Sequence, residues 1–174
     1  DEENIYVAAR CPEPDSRGPQ GFVREHDDRA FEDDSIQVYI APEDMRTVKE
    51  AAMRFGGYEG SYDNWYTDIQ AYYEFTVNCE GSTTESWNDV RGWSEPWTVR
   101  VSKSKSEWTT EMMIPFSSMG VREFPENAVF GFNVFRNRQA QKSGWVNCHF
   151  GGYTPLPIGA MLITRDHTVA RQQL

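Results

Sequence analysis

Arg29-Ala-Phe-Glu-Asp-Asp-Ser-Ile-Gln-Val-Tyr-Ile40 decides the fold class of this chain. An acidic, aromatic-led loop runs straight into an alternating segment. Ile36, Val38 and Ile40 fall on one side of an extended chain, and Ser35, Gln37 and Tyr39 on the other. One face can enter a hydrophobic core while the opposite face carries a hydroxyl, an amide and a phenol. Phe31 stands at the rim, ahead of the strand. Outward from here, partial period-2 patterning recurs at Ile5–Arg10, Tyr72–Asn78, Trp97–Val101, Trp108–Ile114, Phe130–Arg136 and Ala160–Thr164. Gly, Pro, Asp, Asn or Ser bounds each run. Trp108 shares a side with Thr110, Met112 and Ile114, which assigns it to the core. Ser102-Lys-Ser-Lys-Ser106 reads as a polar hairpin turn. The exception is Pro42–Phe55, where Met45, Val48, Lys49, Ala52 and Met53 suit an amphipathic helix of roughly three turns. Early acidic residues open it and Gly56-Gly57 ends it. Many short strands with one short helix near 43–55 predict an all-β protein, an antiparallel β-sandwich of jelly-roll type.

The 174 residues predict a single domain, 1–174, large enough to bury its own core. A formal net charge of −10 argues against nucleic acid and anionic membrane, because binding phosphate rests on clustered Lys and Arg. No apolar run approaches the about 18 residues of a membrane-spanning helix. The chain opens on Asp1-Glu-Glu-Asn-Ile-Tyr-Val-Ala-Ala with no charged-then-apolar leader, the pattern of a mature or trimmed chain. Cys11, Cys79 and Cys148 allow at most one intrachain bridge. Cys11 and Cys79 stand at strand ends, where a free thiol packs as a small hydrophobe.

Aromatics make up 14% of the residues, many of them Tyr and Trp. A flat ring beside hydrogen-bonding side chains on a rigid sheet suits a sugar, whose C–H faces stack and whose hydroxyls take directed hydrogen bonds. Five segments follow in a set order: Asn4–Cys11, Glu32–Tyr39, Tyr72–Asn78, Trp108–Phe116 and Phe130–Arg136. Together they resemble carbohydrate-binding module family 9, within the wider DOMON-like β-sandwiches, over almost the whole chain. The resemblance implies a secreted or periplasmic, non-catalytic module that holds an oligo- or polysaccharide and is linked to a polysaccharide-degrading enzyme. It also implies positions. Phe31, four residues before Ser35, corresponds to one ring of an aromatic clamp, and Tyr153 is the nearest match to the other. Gln37 stands where the family has a sugar-binding carboxylate, and Thr76 where it has a basic residue. Such modules begin with further strands, so the Ile5–Arg10 strand is expected to be flanked by a preceding segment or a second chain.

Other readings rest on the residues alone. Arg136 and Arg138 offer guanidinium forks for sugar hydroxyls, or a surface ion pair. Trp65, Trp87 and Trp93 lie in predicted loops and could add a second stacking platform. Asp27, Asp28, Glu32, Asp33 and Asp34 crowd one loop. Carboxylates at that density are solvated or bridged by a cation, and Ca²⁺, which takes about six to eight oxygens, fits Asp33 and Asp34. Related modules hold structural calcium. No Gly-x-Ser-x-Gly, His-Glu-x-x-His or phosphate loop marks an enzyme. The alternative from the DOMON-like kinship is haem held between a Met and a His or Lys, for which only the inventory of six Met and three His speaks.

Overall fold

The computed structural model describes residues 1–42, 72–88, 90–138, 141–144 and 159–165, with 91, 141–144, 159 and 160 given by backbone alone. The described strands are β1 (Asn4–Pro12), β2 (Ser35–Ala41), β3 (Tyr73–Asn78), β4 (Thr83–Trp87), β5 (Val90–Arg91), β6 (Thr98–Lys103), β7 (Glu107–Pro115), β8 (Val129–Arg138), β9 (Gln141–Gly144) and β10 (Gly159–Leu162). They form two antiparallel sheets. The smaller has the order β1-β7-β6, and the larger β10-β8-β2-β3-β4-β5, with β9 also paired to β8. This is the β-sandwich that the alternation predicts. The segment 43–55, read as a helix, lies outside the described residues.

Register puts one side chain set between the sheets. Ile36, Val38 and Ile40 of β2 sit beside Val77, Phe75 and Tyr73 of β3 on one flank and Arg136, Val134 and Phe132 of β8 on the other. In the smaller sheet Ile5, Val7, Ala9 and Cys11 lie opposite Ile114, Met112, Thr110 and Trp108. The apolar members of this set make one continuous core, with Val38, Ile40, Phe75, Val77, Trp108 and Ile114 fully buried. Trp93 and Trp97 close its margin by packing on Phe75, with ring centroids 6.0 and 5.3 Å away. Trp93 is therefore a core-side ring and not a free platform. Trp87, at the end of β4, is exposed, and Trp65 lies outside the described residues.

Two hairpins anchor the arrangement. Ser104, between β6 and β7, donates its backbone N–H to the Glu107 carbonyl, as the Ser102–Ser106 turn predicts. The β3–β4 turn uses Asn78, whose side-chain oxygen accepts from the N–H groups of Glu80 and Ser82, and Gly81, whose φ of +87° only glycine adopts at little cost. β4 itself, Thr-Thr-Glu-Ser-Trp, has no apolar alternation and is absent from the predicted strands. Cys11 and Cys79 are buried and free, packed as small hydrophobes. Burial pushes the Cys11 thiol up and takes that of Cys79 to about 12.

Candidate functional site

The outer face of the larger sheet carries the polar half of the alternation. Register aligns Ser35, Gln37 and Tyr39 of β2 with Asn78, Thr76 and Glu74 of β3, and with Asn137, Phe135 and Asn133 of β8. Thr84 and Ser86 of β4 extend the row beyond Thr76 and Glu74. The face is a network rather than a set of separate side chains. Gln37 Nε2 donates to Tyr39 Oη at 3.0 Å and to Glu74 Oε1 at 2.7 Å. Thr76 Oγ1 donates to the same Glu74 oxygen at 2.7 Å, and Ser86 Oγ reaches Glu74 Oε2 at 3.3 Å. Asn137 Nδ2 donates to Ser35 Oγ and to Gln37 Oε1, both at 2.8 Å. Tyr39 packs edge-on against Phe135 with centroids 5.7 Å apart.

Burial sorts these groups. Gln37, Thr76, Tyr39 and Asn137 are buried, whereas Glu74 is half-buried. Gln37 spends both amide protons inside the protein. The structure thus brings Gln37 and Thr76 together, as a base that orients a neighbour. The neighbour is Glu74, which sequence reasoning missed. Its signal was available: it shares a strand face with Thr76 and lies opposite Tyr39. It is the one charged side chain that the strands themselves contribute to this face among the residues whose side chains are described. A carboxylate holding three neutral donors has about one of its roughly four acceptor sites left for a further donor. One further acceptor, Asn137 Oδ1, is buried with no hydrogen-bond partner among the described residues.

Phe31 sits in the short 3-10 turn Ala30–Glu32 that delivers the chain into β2, half-buried, with the Arg29 guanidinium 6.0 Å from its ring centroid. Tyr153 lies outside the described residues. Arg136 is not brought to this face. It stands opposite Ile36 on the inner side of β8, donates to the Pro12 carbonyl at 2.6 Å and lies 3.9 Å from Glu13. Arg138 grips Glu13 with Nε–Oε2 at 2.8 Å and a second bond from Nη2 to Oε1. That hydrogen-bonded pair holds the Glu13 carboxyl below its ordinary range. Both arginines fasten the end of β1 to β8, as the ion-pair reading expects, and Arg136 stands on the side of β8 away from the polar face.

The acidic loop is also resolved into partners. Asp33 Oδ2 accepts the N–H groups of Phe22 and Val23, both at 2.9 Å, and Asn78 Nδ2 at 2.8 Å. Asp34 Oδ2 accepts the Gln20 N–H at 2.7 Å. Both residues are buried. These oxygens face N–H donors and pin the segment 20–23 to the start of β2.

No family model matches the sequence, and no curated protein does. Solved structures do resemble the fold. A Bacteroides uniformis protein assigned as carbohydrate-binding superposes with a TM-score of 0.58 at 14% identity, over 92% of this chain and 73% of its own. A carbohydrate-binding module of family 9 from Caldicellulosiruptor kristjanssonii, solved with cellotriose, superposes with a TM-score of 0.52 at 14% identity, over 83% of this chain. This chain spans 58% of that module's length. By sheet architecture and superposition, the chain has the β-sandwich fold found in carbohydrate-binding module family 9.

Proposed function

We propose that this chain is a non-catalytic carbohydrate-binding module and that its sugar docks on the outer face of the larger sheet. The observation that carries the reading is Glu74: a half-buried carboxylate, fixed by Gln37, Thr76 and Ser86 and set in a row of neutral hydrogen-bonding side chains. A sugar hydroxyl donating to a preorganised carboxylate makes a charge-assisted bond. Phe31, beside this face in sequence, would supply the stacking ring, and Tyr153 the second. The cellotriose held by the structurally similar family 9 module supports the ligand class. Stacking contributes about 1 kcal/mol per ring beyond area burial. With the cost of association, the expected affinity is only about micromolar to millimolar. Such an affinity suits a module tethered to a polysaccharide-degrading enzyme outside the cell, where effective concentration supplies the rest.

A glycan array followed by calorimetry tests this. Glu74→Gln should weaken binding of the best oligosaccharide at least tenfold, and Phe31→Ala should weaken it comparably. Both variants should keep the parent's circular dichroism spectrum. An empty array, or two variants that bind like the parent, would overturn the proposal. A Soret band at about 400–430 nm in the purified protein would instead favour the haem alternative.

A further inference from the structure

Away from the polar face, three metal-ligating side chains converge where the loop 25–28 crosses the start of β4. His26, Asp27 and Glu85 place one donor atom each within 4.8 Å of one another. His26 Nε2 lies 3.3 Å from Glu85 Oε1 and 3.5 Å from Asp27 Oδ2. Two ligands of a tetrahedral zinc ion, at bonds of about 2.0–2.2 Å, stand about 3.3–3.5 Å apart. The two separations therefore match the edges of such a site.

The surroundings hold each donor in place. His26 Nδ1 is 3.0 Å from Thr83 Oγ1. With Nδ1–H donating to that hydroxyl, the Nε2 lone pair faces two carboxylate oxygens, an arrangement that a cation between them relieves. Glu85 is 1% exposed, on the inner-face parity of β4. Its Oε2 accepts from Trp97 Nε1 at 3.0 Å and its Oε1 from Ser94 Oγ at 2.8 Å. Its carboxylate is thus oriented by two side-chain donors from the segment that follows β5. Asp27 has a φ of +61° and donates its N–H to the Thr83 carbonyl at 2.9 Å. Ser82 and Thr84 bond the carbonyls of Glu25 and Asp28 on either side. The loop is clamped to three successive residues of β4 and its first flank.

The geometry points to a site for a divalent transition metal of the zinc class, bound by His26 Nε2, Asp27 Oδ2 and Glu85 Oε1. The half-exposed His26 and Asp27 leave the fourth position to solvent. One nitrogen and two carboxylates favour zinc-like ions over calcium, which takes more oxygens and no imidazole here. The ion would lock the loop that leads into Phe31.

The test is titration of the metal-free 174-residue chain with Zn²⁺ by calorimetry, with Co²⁺ absorption as a second readout. The expected result is one-to-one uptake, visible d–d bands with Co²⁺, and at least tenfold weaker binding in His26→Ala and Asp27→Asn. Both altered residues are exposed, so folding should survive and is checked by circular dichroism. Thr83→Val should cost about 10–100-fold by freeing the imidazole. Three results would overturn the site: no Zn²⁺ uptake, uptake unchanged by His26→Ala, or uptake lost instead in His149→Ala or His167→Ala.

Discussion

Replacing Asp33 by Ala tests whether the acidic loop is an internal anchor. The carboxylate oxygen Oδ2 serves three donors: the backbone N–H groups of Phe22 and Val23 and the side chain of Asn78. The Asn78 bond is buried, so truncation leaves a donor without water, at a cost of about 1–3 kcal/mol. The two backbone donors belong to a part-buried segment that water can reach, and each bond is worth about 0.5–1.5 kcal/mol. The sum is about 2–5 kcal/mol after allowing for relaxation. For a chain of this size each kcal/mol shifts Tm by about 2–4 °C, so a fall of about 5–20 °C is expected. Urea unfolding, with the slope compared between variants, measures it. The same loss should appear in calcium and in metal-free buffer, because the bonds that are lost run to nitrogen. A change under about 1 kcal/mol, or one seen only when calcium is present, would refute the anchor and favour a cation as the loop's organiser.

Three further outcomes follow from named contacts. The Glu13 carboxyl is held low by Arg138, so its folded-state value lies below that of the unfolded chain. Its contribution is present above about pH 4.3 and is lost as pH falls through the folded value; Glu13→Gln should flatten that part of the stability–pH curve and cost about 1.5–3 kcal/mol at pH 7. Cys79, pushed up to about 12 by burial, and Cys11, raised for the same reason, should resist a thiol reagent at pH 8 until the chain unfolds; rapid native labelling at either, mapped by mass spectrometry, would contradict their packing. Val38→Ala, in a fully buried central strand, should lower stability by about 2–4 kcal/mol while leaving the outer-face network intact; chemical denaturation reads the loss.

How much was legible beforehand depends on which face a residue takes. Ile36, Val38 and Ile40 alternate with polar residues, and that period fixes both the strand and its core side. Trp108 was readable for the same reason. β4 was not, because its inner face holds Thr83 and Glu85. A glutamate at a core-facing position is tolerated only through Ser94 and Trp97, two partners that lie later in the chain. Gln37 and Thr76 were found from resemblance, but that each gives a hydrogen bond to Glu74 was not readable from position. A carboxylate gains meaning from its neighbours across the sheet, and those are set by register, which local sequence does not specify. Arg136 was misplaced by the same gap. Its partner Glu13 lies more than a hundred positions away, and only the apposition of β1 and β8 joins them.

The strand order also bears on how the chain reaches this state. β3 with β4, and β6 with β7, are local hairpins, which close in about 1–10 μs in isolation. They belong to different sheets. β1 and β2 instead take partners from far along the chain: Asn4 lies opposite Pro115, and Ser35 opposite Asn137. During synthesis β1 and β2 emerge long before β7 and β8 exist to receive them. The apolar side of β2, the most buried strand described, stays uncovered in that interval. Folding should accordingly run on the slow, millisecond-to-second scale of sandwiches with distant pairings, and it should be rate-limited by docking of β8 rather than by either hairpin.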